Sequence, residues 1–343
     1  MIVDVVLLLV SFAIILLGAE LFTNAIEWFG KKLGLGTGMV GSVLAAVGTA
    51  LPETMIPIIA LVFVGGHAAE EVGIGAILGA PFMLSTAAMF VMGAAVLVFA
   101  RTRGRATSMR LDRGIVGRDL RFFLVVYIAA IALGLFPEKP FLFRLAAGIL
   151  LVAAYVFYVY RTSRDPHRAE EADEELNPLR LQPNLTTPHM WVVVLQLALA
   201  LGAIAGGAQL FVREISVLAP IVGITPLVLS LIIAPLATEL PEKFNSVLWI
   251  RQRKDTLAMG NVSGAMVFQS CIPVAVGLWY TPWVLDRVAI ASGVIAVGAG
   301  LFLQVFLRRG VLTGTQLTFL GIFYVLFIVY VVGFYDGPVP APH

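Results

Sequence analysis

Apolar residues run almost without relief along this chain, and the polar ones gather in short clusters between them. A helix needs about 20 predominantly apolar residues to cross a bilayer. Reading such runs off between the charge clusters predicts ten spans, at about 3–28, 37–64, 72–100, 120–136, 141–160, 191–218, 222–250, 256–280, 284–307 and 312–333. One hydrophilic segment, "RTSRDPHRAEEADEELNPLR" and its flanks, separates five spans from five. The pattern therefore predicts an all-α integral membrane protein in three parts: 1–160, a cytoplasmic hydrophilic linker at 161–190, and 191–343.

Composition agrees. Of 343 residues, 59% are hydrophobic and 13% charged, against roughly 25% charged in a soluble domain. The net charge of +2 gives no reason to expect a nucleic-acid partner. The opening "MIVDVVLLLV" lacks a basic n-region and a small-residue cleavage site, so it reads as a retained first span. The single cysteine, Cys271, lies in an apolar run and is expected to be a small buried residue.

Eighteen of the 23 Lys and Arg fall in the odd-numbered connections, seven of them from Arg101 to Arg121. The positive-inside rule makes those connections cytoplasmic and puts both termini outside, in a plasma membrane or a bacterial inner membrane.

The two halves are related. At a constant offset of 189, residues 18–53 match 207–242 at 11 of 36 positions, including Gly18, Thr49, Leu51, Pro52 and Glu53. A second block, "GAILGAPFMLS" from Gly75, matches "GNVSGAMVFQS" from Gly260. Halves of five spans each must insert in opposite senses, which predicts two inverted-topology five-helix repeats, the plan of many secondary transporters.

The most conspicuous chemistry is in "VGTALPETMIPI" and "LATELPEKFNSV". An acid at mid-bilayer is costly and by default marks an ion pathway. Proline removes a donor and disturbs the carbonyl four residues back, so Pro52, Pro57, Pro235 and Pro241 are expected to loosen carbonyls of Gly48, Glu53, Leu231 and Ala237. Thr49 and Glu53, like Thr238 and Glu242, are four apart and share a helical face, and Glu239 can point the same way. Three carboxylates, two hydroxyls and loose carbonyls are an oxygen set for a hard cation. Lys243 stands beside Glu242 and is expected to neutralise one of these acids. Asn261, Gln269, Ser85 and Ser270 are candidates for the same site and equally for interhelical hydrogen bonds.

The glycines four apart in both blocks predict close helix packing. Glu20 is a further acid in a span with no base near it in sequence, and is expected to hydrogen-bond a neighbouring helix. The acid run Glu170 to Glu175 lacks the spaced loop of a Ca²⁺ site and reads as solvated linker. No HExxH, nucleophile elbow or phosphate loop is present, which argues against an enzyme, and no bound cofactor is implied beyond transported cations.

The paired "GTALPE" and "ATELPE", each followed by a glycine-patterned block, resemble the α-repeats of the calcium/cation antiporter superfamily, the sodium/calcium exchangers and their relatives. The resemblance implies a ten-helix exchanger that moves a cation against Na⁺ or H⁺ by alternating access, with Glu53, Thr49, Glu242 and Thr238 as central ion ligands. This chain is a divergent member. The family's "GTSLPE" serine is replaced by Ala50 and Glu239, and Pro81 and Met266 stand where side-chain oxygens are expected. Crowded carboxylates in a partly desolvated site favour proton uptake, so exchange of a divalent cation such as Ca²⁺ for H⁺ is expected ahead of coupling to Na⁺. A cation channel and a transport-inactive regulatory membrane protein are the alternatives.

Overall fold

Helices built from the apolar runs make up nearly all of the structure, a computed structural model that describes residues 1–33, 53–137, 139–163 and 176–334. In chain order they are α1 (Ile2–Lys32), α2 (Glu53–Val64), α3 (His67–Ser85), α4 (Ala87–Val98), α5 (Arg113–Gly134), α6 (Phe141–Ser163), α7 (Met190–Ile221), α8 (Pro226–Arg251), α9 (Asp255–Tyr280), α10 (Arg287–Leu307) and α11 (Gly314–Phe334). Two short strands, β1 (Ser108–Arg110) and β2 (Val311–Thr313), pair antiparallel with Met109 opposite Leu312.

Taking α3 and α4 as one, seven helices among the described residues are long and apolar enough to cross a membrane. The others fall short for identifiable reasons. α2 is described only from Glu53 onward. α5 carries Arg113, Arg118, Asp119 and Arg121 within its first nine residues, and α8 carries Glu239, Glu242 and Lys243 at mid-length.

Local chemistry sets the helix ends. Asp112 caps α5 by accepting from the amides of Gly114 (2.6 Å) and Ile115 (3.2 Å). Thr225 caps α8 ahead of Pro226, and Asp286 caps α10 through the Ala289 amide at 2.7 Å. Gly65 and Gly66 take φ of 67° and 84°, the left-handed conformation that turns α2 into α3. Past Pro57, α2 widens to π-helix over Ile59–Val64, a form that accommodates a missing donor. In α8 the prolines do not end the helix, which runs through Pro235 and Pro241 to Arg251. At membrane depth neighbouring helices can satisfy the freed carbonyls, so proline need not end a span.

α9 and α3 are the most enclosed helices, whereas α6 presents Leu142, Leu150, Val156 and Phe157 outward, as a helix bathed in lipid would. α1 and α7 pack on each other antiparallel: Trp28 shares a cluster with Val193, and the rings of Phe12 and Phe211 meet at a tilt of 43° with centroids 5.4 Å apart. α3 lies along α8, α4 along α11, and α6 and α5 both flank α9.

The connections sort into two ends. At one, the β1–β2 ribbon joins the α4–α5 and α10–α11 connections, and Arg103 reaches Asp255 at the start of α9. At the other, the Leu285 amide donates to Gly134 O at 3.1 Å, and Lys139 donates to Trp283 O at 3.1 Å. The arginine-rich connections thus gather together.

Two polar connections pack into the fold. Arg103 is no surface charge: it is 2% exposed, gives two hydrogen bonds to Asp255 (2.7 and 3.0 Å), and also donates to Ile250 O at the end of α8. The part of the linker that follows Glu175 is not a solvated spacer either. Asn24 of α1 donates to Pro178 O (3.2 Å) and accepts from the Arg180 amide (3.0 Å). Trp28 donates to Asn177 O (2.8 Å), and Leu179 is wholly buried between α1 and α7. Glu20, half exposed, pairs with Arg180 of this strap and not with a neighbouring helix. The acid run itself lies outside the described residues.

Candidate functional site

Glu53 opens α2 and is buried, as is Thr54 beside it. Ile56, one turn on, shares an apolar cluster with Ala234 of α8, one turn before Thr238. The two acid-bearing helices therefore contribute to one apolar cluster. Thr49 lies outside the described residues, and nothing of the Glu242 side chain is described beyond its place in α8.

In α8, Glu239 is 1% exposed and held from two sides. Gln269 of α9 donates to its Oε1 at 2.8 Å, and the ammonium of Lys243, one turn further along α8, stands 3.6 Å from Oε2. Lys243 is as deeply buried as its partner. The acid that Lys243 neutralises is thus Glu239, because i to i+4 places two side chains over one another where adjacent residues diverge.

The remaining candidates divide. Gln269 belongs to the carboxylate cluster. Asn261 does not: its Nδ2 donates to Ser246 Oγ (3.1 Å), and Ser246 in turn donates to Ala258 O (3.3 Å), tying α8 to α9 nearer the arginine-rich end. Thr238 donates to Ala234 O at 3.1 Å, leaving its lone pairs available to a cation. Ser85 and Ser270 each donate to the carbonyl three residues back, Phe82 O at 3.1 Å and Val267 O at 2.8 Å. Pro81 and Met266 are buried within α3 and α9 and bring no side-chain oxygen. Among the described residues no three His, Cys, Asp or Glu side chains gather as a metal centre.

The glycine blocks differ between halves. A β-carbon on Gly75 would run into Leu227 O, and one on Gly79 into Leu231 O, so these glycines let α3 lie directly on the α8 backbone. Leu231 O is the carbonyl that Pro235 releases, and α3 covers it. Gly260 and Gly264 meet no described atom within 4 Å.

Among the described residues three buried acids were not singled out in the sequence: Asp119, Glu214 and Asp255. Asp119 of α5 is fully buried, accepting from Tyr158 Oη at 2.6 Å and from Ser263 Oγ at 2.8 Å, so it joins α5, α6 and α9. Its place beside Arg118 in the basic cluster disguised it as a surface residue.

Comparison with known proteins adds the following. The model of the sodium/calcium exchanger protein family matches residues 3–163 and 192–335. CaxA, a protein assigned as an antiporter in Alkalimonas amylolytica, is 25% identical over 289 residues, covering 84% of either chain. The inner membrane protein YrbG of Escherichia coli (strain K12) is 22% identical over 295 residues, 84% of this chain and 83% of that one. Among solved structures, the H⁺/Ca²⁺ exchanger CAX superposes with a TM-score of 0.73 at 19% identity, covering 96% of this chain and 82% of that one. The sodium-calcium exchanger NCX_Mj gives 0.56 at 19% identity, covering 96% and 98%.

Proposed function

This chain belongs to the sodium/calcium exchanger protein family, and from that premise we propose that it is a secondary active antiporter exchanging a divalent cation, Ca²⁺ or one like it, for H⁺ or Na⁺ by alternating access. The observation that carries the reading is the pair of buried carboxylates, Glu53 and Glu239, supplied by the motif of each half on helices that contribute to one apolar cluster. Carboxylates kept in the interior of an apolar protein call for a cation, which for Glu239 is the Lys243 ammonium. Glu53, Thr238 and Glu242 are the ligands we assign to the transported cation, with Thr49 as the hydroxyl partner of Glu53.

Ten spans in two inverted repeats fit this reading. The first helices of the two halves, α1 and α7, run antiparallel, as opposite insertion requires. Exchanging the halves also maps contacts onto contacts: α6 with α9 becomes α11 with the α3–α4 span, and α5 with α9 becomes α10 with α3. The end that gathers the arginine-rich connections is then the cytoplasmic one, and both termini lie outside.

Coupling to H⁺ is placed ahead of Na⁺ because Pro81 and Met266 contribute no side-chain oxygens for additional sodium ions. The likeness to the H⁺/Ca²⁺ exchanger CAX supports the same order. The test is transport into proteoliposomes across a panel of Ca²⁺, Mg²⁺ and Mn²⁺ under an imposed H⁺ or Na⁺ gradient. Saturable uptake driven by a pH gradient, with countertransport, is the expected result. Uptake driven by Na⁺ at clamped pH, with no response to a pH gradient, overturns the H⁺ assignment, and absence of any flux overturns the antiporter.

A further inference from the structure

Glu239 and Lys243 are charges that the second half carries and the first does not. Their counterparts in the first half, at the offset of 189, are Ala50 and Thr54, neither of which is charged. The second half thus holds a carboxylate and, one helical turn later, an ammonium that the first half lacks, a difference of no net charge. In the structure the two find each other: Nζ to Oε2 is 3.6 Å, both side chains are 3% exposed or less, and Gln269 occupies the other carboxylate oxygen at 2.8 Å. The neighbouring polar groups along this edge of α8 are already engaged, since Ser246 and Asn261 bond each other. A buried charge is tolerated when it is paired and hydrogen-bonded, and Glu239 is satisfied on both counts by groups belonging to the protein.

We propose that Lys243 is a resident counter-cation, a specificity-determining residue whose ammonium holds at Glu239 the place that a monovalent cation would otherwise take. A divalent ion then loads at the Glu53 side of the site without a monovalent ion having to ride with it. This rests on the antiporter reading above.

The experiment is self-exchange of radiolabelled Ca²⁺ in proteoliposomes, equal Ca²⁺ on both sides, with choline as the sole other cation. Na⁺, K⁺ or H⁺ is then raised equally on both sides. The wild type exchanges in choline and is not stimulated by any of the three. Lys243→Met leaves Glu239 uncompensated: exchange in choline falls about tenfold or more and is recovered when a monovalent cation is supplied. Lys243→Arg behaves as wild type. The double variant Glu239→Gln with Lys243→Met, which removes both charges, restores exchange in choline, and the recovery of Lys243→Met by an added monovalent cation is the readout that a purely structural lysine does not predict.

Lys243→Met that exchanges in choline at the wild-type rate overturns the proposal. So does a correctly folded double variant as inactive as Lys243→Met. A wild type that exchanges no Ca²⁺ removes the antiporter reading for Ca²⁺ and this inference with it. Wild-type exchange with an insensitive Lys243→Met removes the role of Lys243 alone.

Discussion

Gly18 of α1 lies so close to Ile204 of α7 that a β-carbon there would come within 2.8 Å of Ile204 Cγ1. The contact is returned: a β-carbon on Gly207 of α7 would meet Ile15 Cγ1 of α1, also at 2.8 Å. Both pairs of positions differ by the offset of 189 that relates the two halves. Each helix thus offers the other the same glycine notch and the same isoleucine knob, as a two-fold relation between α1 and α7 requires. Gly18→Leu and Gly207→Leu should destabilise the protein by similar amounts, about 1–3 kcal/mol each for overpacking. Thermal unfolding in detergent checks this, and unequal shifts would argue against the reciprocal packing.

Glu53→Gln and Glu242→Gln should each abolish exchange while leaving the protein folded and monodisperse in detergent. Glutamine keeps the shape of the side chain and removes the charge that holds a cation. Normal flux through both variants in proteoliposomes would remove these residues from the site.

Gln269 orients Glu239 by donating to Oε1. Gln269→Leu should cost about 1.5–3 kcal/mol, the range for a hydrogen bond to a charged group. Because the loss falls on the site, it should appear in transport rate more than in unfolding temperature. Gln269→Glu adds a second acid where Lys243 balances one, and should impair transport further.

Arg103 and Asp255 form a buried bidentate pair that ties the α4–α5 connection to the end of α8 and the start of α9. Removing one partner leaves a buried charge uncompensated, which costs about 3–5 kcal/mol. Asp255→Asn and Arg103→Met should therefore lower the unfolding temperature sharply, and the double variant should recover part of the loss.

Asn24 spends its whole side-chain amide on the strap and on Gln196. Asn24→Ala should free residues 176–189 from the groove between α1 and α7. Limited proteolysis reads this directly: cleavage after Arg180, slow in the wild type, should become fast.

Which of these features were legible in the sequence follows from the range of the forces behind them. The spans were legible because the bilayer acts on each apolar run separately, whatever the rest of the chain does. The same is true of the clustering of arginines at alternate connections and of the pairing of "GTALPE" with "ATELPE". Glu53 and Glu239 were visible as candidates because a lone acid in an apolar run is anomalous wherever it is finally placed.

Partnership was not legible, because it depends on which helices meet. Lys243 reads as the neighbour of Glu242, yet helical geometry and the arrival of Gln269 from α9 give it to Glu239. Asp119 and Arg103 sit in a stretch that resembles a surface cluster, and only the approach of α6 and α9 buries them. Pro235 seemed to free a carbonyl for an ion, but two glycines bring α3 down onto it. By itself the sequence determined that the chain crosses the membrane repeatedly and carries acids within it. The tertiary structure decided which acids keep a charge of the protein's own beside them, because compensation of a buried charge is settled by contacts a few ångströms long between residues far apart in the chain.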